Sequence, residues 1–289
     1  MDRQAVRLRK GGISGLCIPA AVREREIGLD IINRRCVCKV DPADKKQRRA
    51  VFFIFHRQKP HAGKPQPVWA ERCARCKYTD AAVSAPLLKE ALAAVAADTF
   101  NMMSVDGDTS TNDTLAVMAN GAAGNAPVTE KGADYDAFVS ALRTLCTALT
   151  KALAADGEGA TKLLECRVTG GKTTADAKTV AKAVINSALL KAAMFGADAN
   201  WGRVLCAIGY SGAPVDVHGV DVSFASAAGS IPVCRNGAGI DFSEEKAKEI
   251  LSEKEIVIDV TLRDGNGAAT AWGCDLTYDY VKINGDYRS

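Results

Sequence analysis

Six cysteines and histidines between residues 36 and 76 are possible zinc ligands: Cys36, Cys38, His56, His61, Cys73 and Cys76. Cys73 and Cys76 have the Cys-x2-Cys spacing of a zinc knuckle. Cys36 and Cys38 stand only two apart, and the two histidines match no ββα finger. The first 78 residues hold 19 Lys+Arg against 7 Asp+Glu, a net charge of +12. One reading is therefore a zinc-stabilised basic arm that binds nucleic acid. The other is that thiols and cations have gathered in a stretch without pattern.

Asp106-Gly107-Asp108-Thr109-Ser110 starts like a calcium loop, in which alternate oxygens surround the ion. Thr111 then stands where the sharp turn needs glycine, and Val117 where a bidentate glutamate closes the shell, so a polar turn or a substrate-side loop is expected instead. In Asp156-Gly157-Glu158-Gly159-Ala160-Thr161-Lys162, two glycines flank one carboxylate. Glycine lets the backbone come close to a ligand while Glu158 presents the charge that would hold an amino group; an ordinary helix-stop loop with a solvated Glu158 fits the same residues. Residues 195–203, Phe-Gly-Ala-Asp-Ala-Asn-Trp-Gly-Arg, read either as a site loop or as a turn with a packed tryptophan.

The elements that carry these segments are legible from residue 79 onward. Leu88, Leu92 and Val95 form one apolar stripe over residues 85–100, and Phe138, Leu142, Leu145, Leu149 and Leu153 form another over residues 135–155, each predicting an amphipathic helix. A strand is expected over residues 163–168, and a helix over 174–195 with Thr174 as N-cap and Gly196 as its stop. Ile256, Ile258, Val260 and Leu262 alternate with polar neighbours before Asp264-Gly265-Asn266-Gly267, which predicts a strand, a turn and a hairpin partner over 268–277. Residues 51–55, Val-Phe-Phe-Ile-Phe, read as a short strand in an otherwise unpatterned segment. Interleaved helices and strands with a hairpin predict a mixed α/β (α+β) sandwich, a sheet covered by helices, with residues 1–78 unassigned.

Composition sets the class. A chain of 289 residues with 47% hydrophobic and 25% charged residues excludes wholesale disorder and a fibre. No run approaches the roughly 18 to 20 uninterrupted apolar residues of a membrane span, and Met-Asp-Arg-Gln does not open a secretory signal. A cytoplasmic protein with no membrane partner is expected. The net charge of +3 hides a division, since residues 79–289 hold 18 Lys+Arg against 27 Asp+Glu. That abrupt change near Tyr78-Thr79 predicts two parts: a basic segment over 1–78, expected to come from a reading-frame error or rearrangement in the coding DNA, and a domain over 79–289. Cys146, Cys166, Cys206, Cys234 and Cys274 lie among apolar neighbours and are expected to be buried free thiols.

Thr79-Asp80-Ala81-Ala82-Val83-Ser84, residues 105–113, 157–162 and 195–203, and the end Tyr280-Val281-Lys282-Ile283-Asn284-Gly285-Asp286-Tyr287-Arg288 occur in the order seen in the β chain of the ornithine acetyltransferase family, the bifunctional glutamate N-acetyltransferases of arginine biosynthesis. The chain resembles that family over residues 79–289. The resemblance implies the family's fold and a ping-pong acetyl transfer from N-acetylornithine to glutamate without a cofactor or metal, with acetyl-coenzyme A as a further donor to consider. It also implies a precursor that cleaves itself before a threonine, which becomes the acylated nucleophile, and an αβ heterotetramer. The α-amine freed by cleavage can serve as base for its own hydroxyl.

Carried over residue by residue, the resemblance assigns substrate binding to Glu158, Asn284 and Ser289, where the family usually ends in threonine. The nucleophile position falls on Arg72, in Trp69-Ala70-Glu71-Arg72-Cys73, and no Ala-Thr-Met precedes the domain. A guanidinium has no hydroxyl to acylate. Nothing in residues 1–78 resembles the family's α chain. The expectation is a relative of these acetyltransferases that is inactive alone, with an α-like chain as partner and no nucleic acid. The alternative is the zinc-stabilised nucleic-acid-binding arm fused to an acetyltransferase-like domain with a binding or regulatory role.

Overall fold

The apolar periodicities take the following form in the computed structural model, which describes residues 53–55, 74–109 and 113–286. In chain order the elements are β1 (Phe53–Phe55), β2 (Ala74–Thr79), α1 (Ala85–Asp98), β3 (Met103–Ser104), β4 (Thr114–Ala119), α2 (Ala133–Ala155), β5 (Leu163–Gly171), α3 (Thr174–Asn186), α4 (Ala188–Phe195), α5 (Trp201–Gly209), β6 (Asp221–Ser226), β7 (Gly229–Arg235), β8 (Ala238–Gly239), α6 (Glu244–Leu251), β9 (Glu255–Thr261), β10 (Gly267–Cys274) and α7 (Tyr278–Asp286). The chain divides into two units, the second made mainly of residues 96–110 and 145–289. The fold is mixed α/β, as the pattern of elements predicts.

The first unit contains a three-stranded sheet in the order β1-β2-β4, with β1 antiparallel and β4 parallel to β2. Asn125 ties its following loop: the Ala82 amide donates to Asn125 Oδ1 at 2.8 Å, and the Val128 amide to the Ala82 carbonyl at 2.8 Å.

The second unit is a seven-stranded sheet in the order β3-β10-β5-β9-β6-β7-β8. Ile256, Ile258 and Val260 of β9 and Leu164, Cys166 and Val168 of β5 are buried in one core with Val180, Val184 and Ile185 of α3 and Ile250 and Leu251 of α6. Burying a side chain of this size contributes about 2 kcal/mol, so this face dominates the unit's stability. The opposite face of β5 carries Glu165, which pairs with Lys151 of α2 at 2.8 Å and accepts a bond from Trp272 Nε1 at 3.1 Å. Those partners and Arg167 hold its carboxyl below the usual range against the opposing cost of burial. Helix α2 is long and apolar enough, by length and composition, to cross a membrane; Lys151 on it is engaged within this unit.

Four expectations need correction. The helix expected over 174–195 is two helices, because Ser187 adopts an extended conformation and its hydroxyl accepts from the Leu190 amide at 3.3 Å, capping α4; the N-cap of α3 is Thr173, one residue early. Gly196 does end the second helix. The predicted hairpin does not form, since β5 lies between β9 and β10. The 264–267 turn instead passes over the end of β5, where the Leu262 amide donates to Thr169 and those of Asp264 and Gly265 to Gly170. Finally, Cys146, Cys166, Cys234 and Cys274 are buried as expected, but Cys206, on α5, is exposed.

Candidate functional site

Helix α2 runs out at Ala155, and the Gly157 amide bonds back to the Ala154 carbonyl at 3.3 Å. The Ala160 amide then donates to the Gly157 carbonyl at 3.0 Å, making a tight turn with Glu158 inside it. Both glycines are required by contact. A Cβ on Gly157 would lie 2.7 Å from Cys274 Sγ, and one on Gly159, whose φ is +66°, would lie 2.8 Å from the Tyr280 nitrogen. The turn is thus pressed against the end of β10 and the start of α7. Thr277 Oγ1 donates to the Gly159 carbonyl at 2.8 Å. Asp275 accepts from the amides of Thr161 and Lys162 at 2.8 and 2.9 Å and from the Thr161 hydroxyl at 2.5 Å.

This packing brings Glu158 and Asn284 together: Asn284 Nδ2 donates to Glu158 Oε2 at 2.5 Å and to the Tyr280 carbonyl, one turn earlier on α7, at 3.0 Å. Tyr280 in turn donates its hydroxyl to Asp106 Oδ2 at 3.0 Å. Burial, the Asp106 hydrogen bond and the charges of Asp106, Glu158 and Asp108 push its phenol up to about 12. The other Asp106 oxygen accepts from the Asp108 amide at 2.9 Å, an Asx turn near the start of the polar run. Among the described residues no three His, Cys, Asp or Glu side chains are grouped to hold a metal ion.

Two lysines bind backbone carbonyls close to the turn. Lys162 donates to the carbonyls of Met194 and Phe195 at 2.5 and 3.4 Å, tying the turn to the 195–203 segment. Lys191, buried, donates to the Cys274 carbonyl at 2.6 Å and lies 3.7 Å from its sulfur. Burial pulls both amines down, against the opposing charge of Asp275. In the 195–203 segment Phe195 stacks edge-on with Tyr278 at 5.6 Å, and Asn200 caps α5 by accepting from the Arg203 amide at 3.2 Å. A Cβ on Gly239 would meet the Trp201 ring at 2.4 Å, so the tryptophan is packed.

The structure therefore brings together two of the residues singled out in the sequence, Glu158 and Asn284. Ser289 and Arg72 lie outside the described residues, as do Cys36, Cys38, His56, His61 and Cys73; Cys76 lies in β2. Sequence reasoning missed Asp275, Thr277, Tyr280 and Asp106 as members of one bonded group. A signal for Asp275 existed: a carboxylate directly after the apolar end of a strand, in Ala271-Trp272-Gly273-Cys274, enters a buried setting and needs donors.

Fold and site together define a helix-covered mixed sheet whose C-terminal helix meets a glycine-flanked carboxylate turn. The chain belongs to the ArgJ family, whose model matches residues 75–289. It is similar to the arginine biosynthesis bifunctional protein ArgJ 1 of Clostridium acetobutylicum, 51% identical over 211 residues, and to the arginine biosynthesis bifunctional protein ArgJ of Caldanaerobacter subterraneus subsp. tengcongensis, 53% identical over 211 residues. Each alignment covers 73% of this chain and 52% of the relative, so the chain spans about half the length of the curated relatives it matches. The crystal structure of the arginine biosynthesis bifunctional protein ArgJ from Bacillus halodurans superposes with a TM-score of 0.70 at 46% identity, over 73% of this chain and 98% of that one.

Proposed function

We propose that residues 79–289 form the amino-acid-binding part of an ornithine acetyltransferase of the glutamate N-acetyltransferase type, a cytoplasmic protein acting on N-acetylornithine and glutamate. The observation that carries this reading is the contact between Glu158 and Asn284 within the segment matched by the family model. A carboxylate has about four acceptor sites, so Glu158 can take the ammonium of an α-amino acid while still bonded to Asn284, and Ser289 would supply a further hydroxyl. Ornithine and glutamate share the α-ammonium and α-carboxylate that such a pair selects.

A ping-pong acetyl transfer needs a nucleophile to carry the acetyl group, and the guanidinium of Arg72 at the corresponding position, protonated near neutrality, is none. The chain alone is therefore inactive in this proposal, the basic segment that precedes the matched residues 75–289 is foreign to the domain, and an α-like partner completes the assembly. The test has two parts. Titration calorimetry of the chain with ornithine should give saturable binding that Glu158→Gln weakens about tenfold or more, the scale of one charge-assisted bond. Incubation with N-acetylornithine and glutamate should give neither N-acetylglutamate nor an acetyl adduct by intact mass. No binding overturns the substrate reading; an adduct overturns the inactivity.

A further inference from the structure

The contact between Glu158 and Asn284 is exposed on the Asn284 side, and a single bond open to solvent is too weak to hold a turn in place. What holds the turn lies underneath. Asp275 is 2% exposed, and a carboxylate so buried is stable only when fully bonded. Its three side-chain bonds all go to Thr161 and Lys162, the last two residues of the turn. Two residues further on, Thr277 takes the Gly159 carbonyl, and its hydroxyl also accepts from the Tyr280 amide at 3.3 Å in the first turn of α7. The segment that binds the turn is thus the same short stretch that launches the helix bearing Asn284.

We infer that Asp275 is the positioning residue of this site, setting the distance between Glu158 and Asn284 by fastening the turn to the strand end from which α7 departs. The inference rests on the reading of Glu158 and Asn284 as substrate ligands only for its binding consequence. Its structural consequence stands by itself. Asp275 touches no substrate in this account and acts through the backbone of residues 159–162.

The test measures amide hydrogen exchange by mass spectrometry on the full chain and on three variants. Asp275→Ala removes all three bonds, and Thr161→Val removes the hydroxyl bond alone. Asp275→Asn keeps an oxygen for the two amides, with the Thr161 hydroxyl turned to accept. In Asp275→Ala, exchange should rise about tenfold or more over residues 157–162 and 278–286, and in Thr161→Val by a smaller factor over the same segments. β9 and α3 should stay as protected as in the parent chain. Asp275→Asn should restore most of the protection and keep ornithine affinity within about twofold, while Asp275→Ala weakens affinity about tenfold. Parent-like exchange in both the alanine and valine variants, or loosening spread equally to β9 and α3, overturns the inference. Should Asp275→Ala fail to fold, Thr161→Val decides. If the parent chain binds no ornithine, the substrate reading fails while the exchange measurements still decide the role of Asp275.

Discussion

Tyr280 lies at the meeting point of three segments: its hydroxyl holds Asp106, its carbonyl receives Asn284, and its amide is held by Thr277. With the phenol pushed up from 10 to about 12, the folded chain keeps a proton that the unfolded chain has lost over that interval. The stabilisation is fully present below pH 10 and disappears as pH rises through 12. Urea unfolding at pH 9 and at pH 11 to 12 should show a decline that Tyr280→Phe reduces. Tyrosinate absorbance should place the ionisation lower in Asp106→Asn, which removes both a hydrogen bond and a charge. An unchanged titration in that variant would break the link between the 105–113 run and the C-terminal helix.

At the scale of elements, legibility followed the range of the forces involved. Residues 135–155 were readable as a helix because a stripe of Phe138, Leu142, Leu145, Leu149 and Leu153 is local information, and the stop at Gly196 was readable because a helix end needs a terminator wherever it lies. Ser187 was hidden inside a continuous apolar pattern, since a cap is a conformational choice of a single residue. Ser187→Ala should cost about 1 kcal/mol in urea unfolding, the usual worth of an N-cap. The order β10-β5-β9 could not be read from alternation and a turn alone, because strand neighbours depend on contacts between residues about a hundred positions apart. Gly170 marks that crossing: its φ is +77°, and a Cβ would fall 1.9 Å from the Leu262 carbonyl oxygen. Gly170→Ala should therefore cost about 3 kcal/mol or more, well above Ser187→Ala in the same assay. The candidate site shows the same division. Glu158 and Asn284 came from a motif resemblance, whereas Asp275, between β10 and α7, gained its partners only through folding.

For the whole molecule, the change in charge near Tyr78 falls close to the start of the matched segment at residue 75. A net +12 over residues 1–78 faces −9 over the rest, and the relatives carry about as much sequence again outside the aligned segment. Met118, in the first unit, and Tyr278 and Val281, in the second, are large apolar side chains left exposed at 46%, 84% and 65%, the kind of surface that limits solubility when nothing covers it. Co-expression with the unaligned half of one of the curated relatives should raise soluble yield and co-purify with this chain. A yield indifferent to that addition would count against an α-like partner.

The placement of β5 also bears on how the protein is made. Its two neighbours in the sheet both lie beyond residue 254, β9 beginning at Glu255 and β10 ending at Cys274. During synthesis from the N-terminus, β5 leaves the ribosome long before either neighbour exists and carries Leu163, Leu164, Cys166 and Val168 with both backbone edges unpaired. The nascent polypeptide thus cannot pair β5 on both sides until Cys274 has been made, and termination between Gly171 and Glu255 leaves that strand an open template for aggregation.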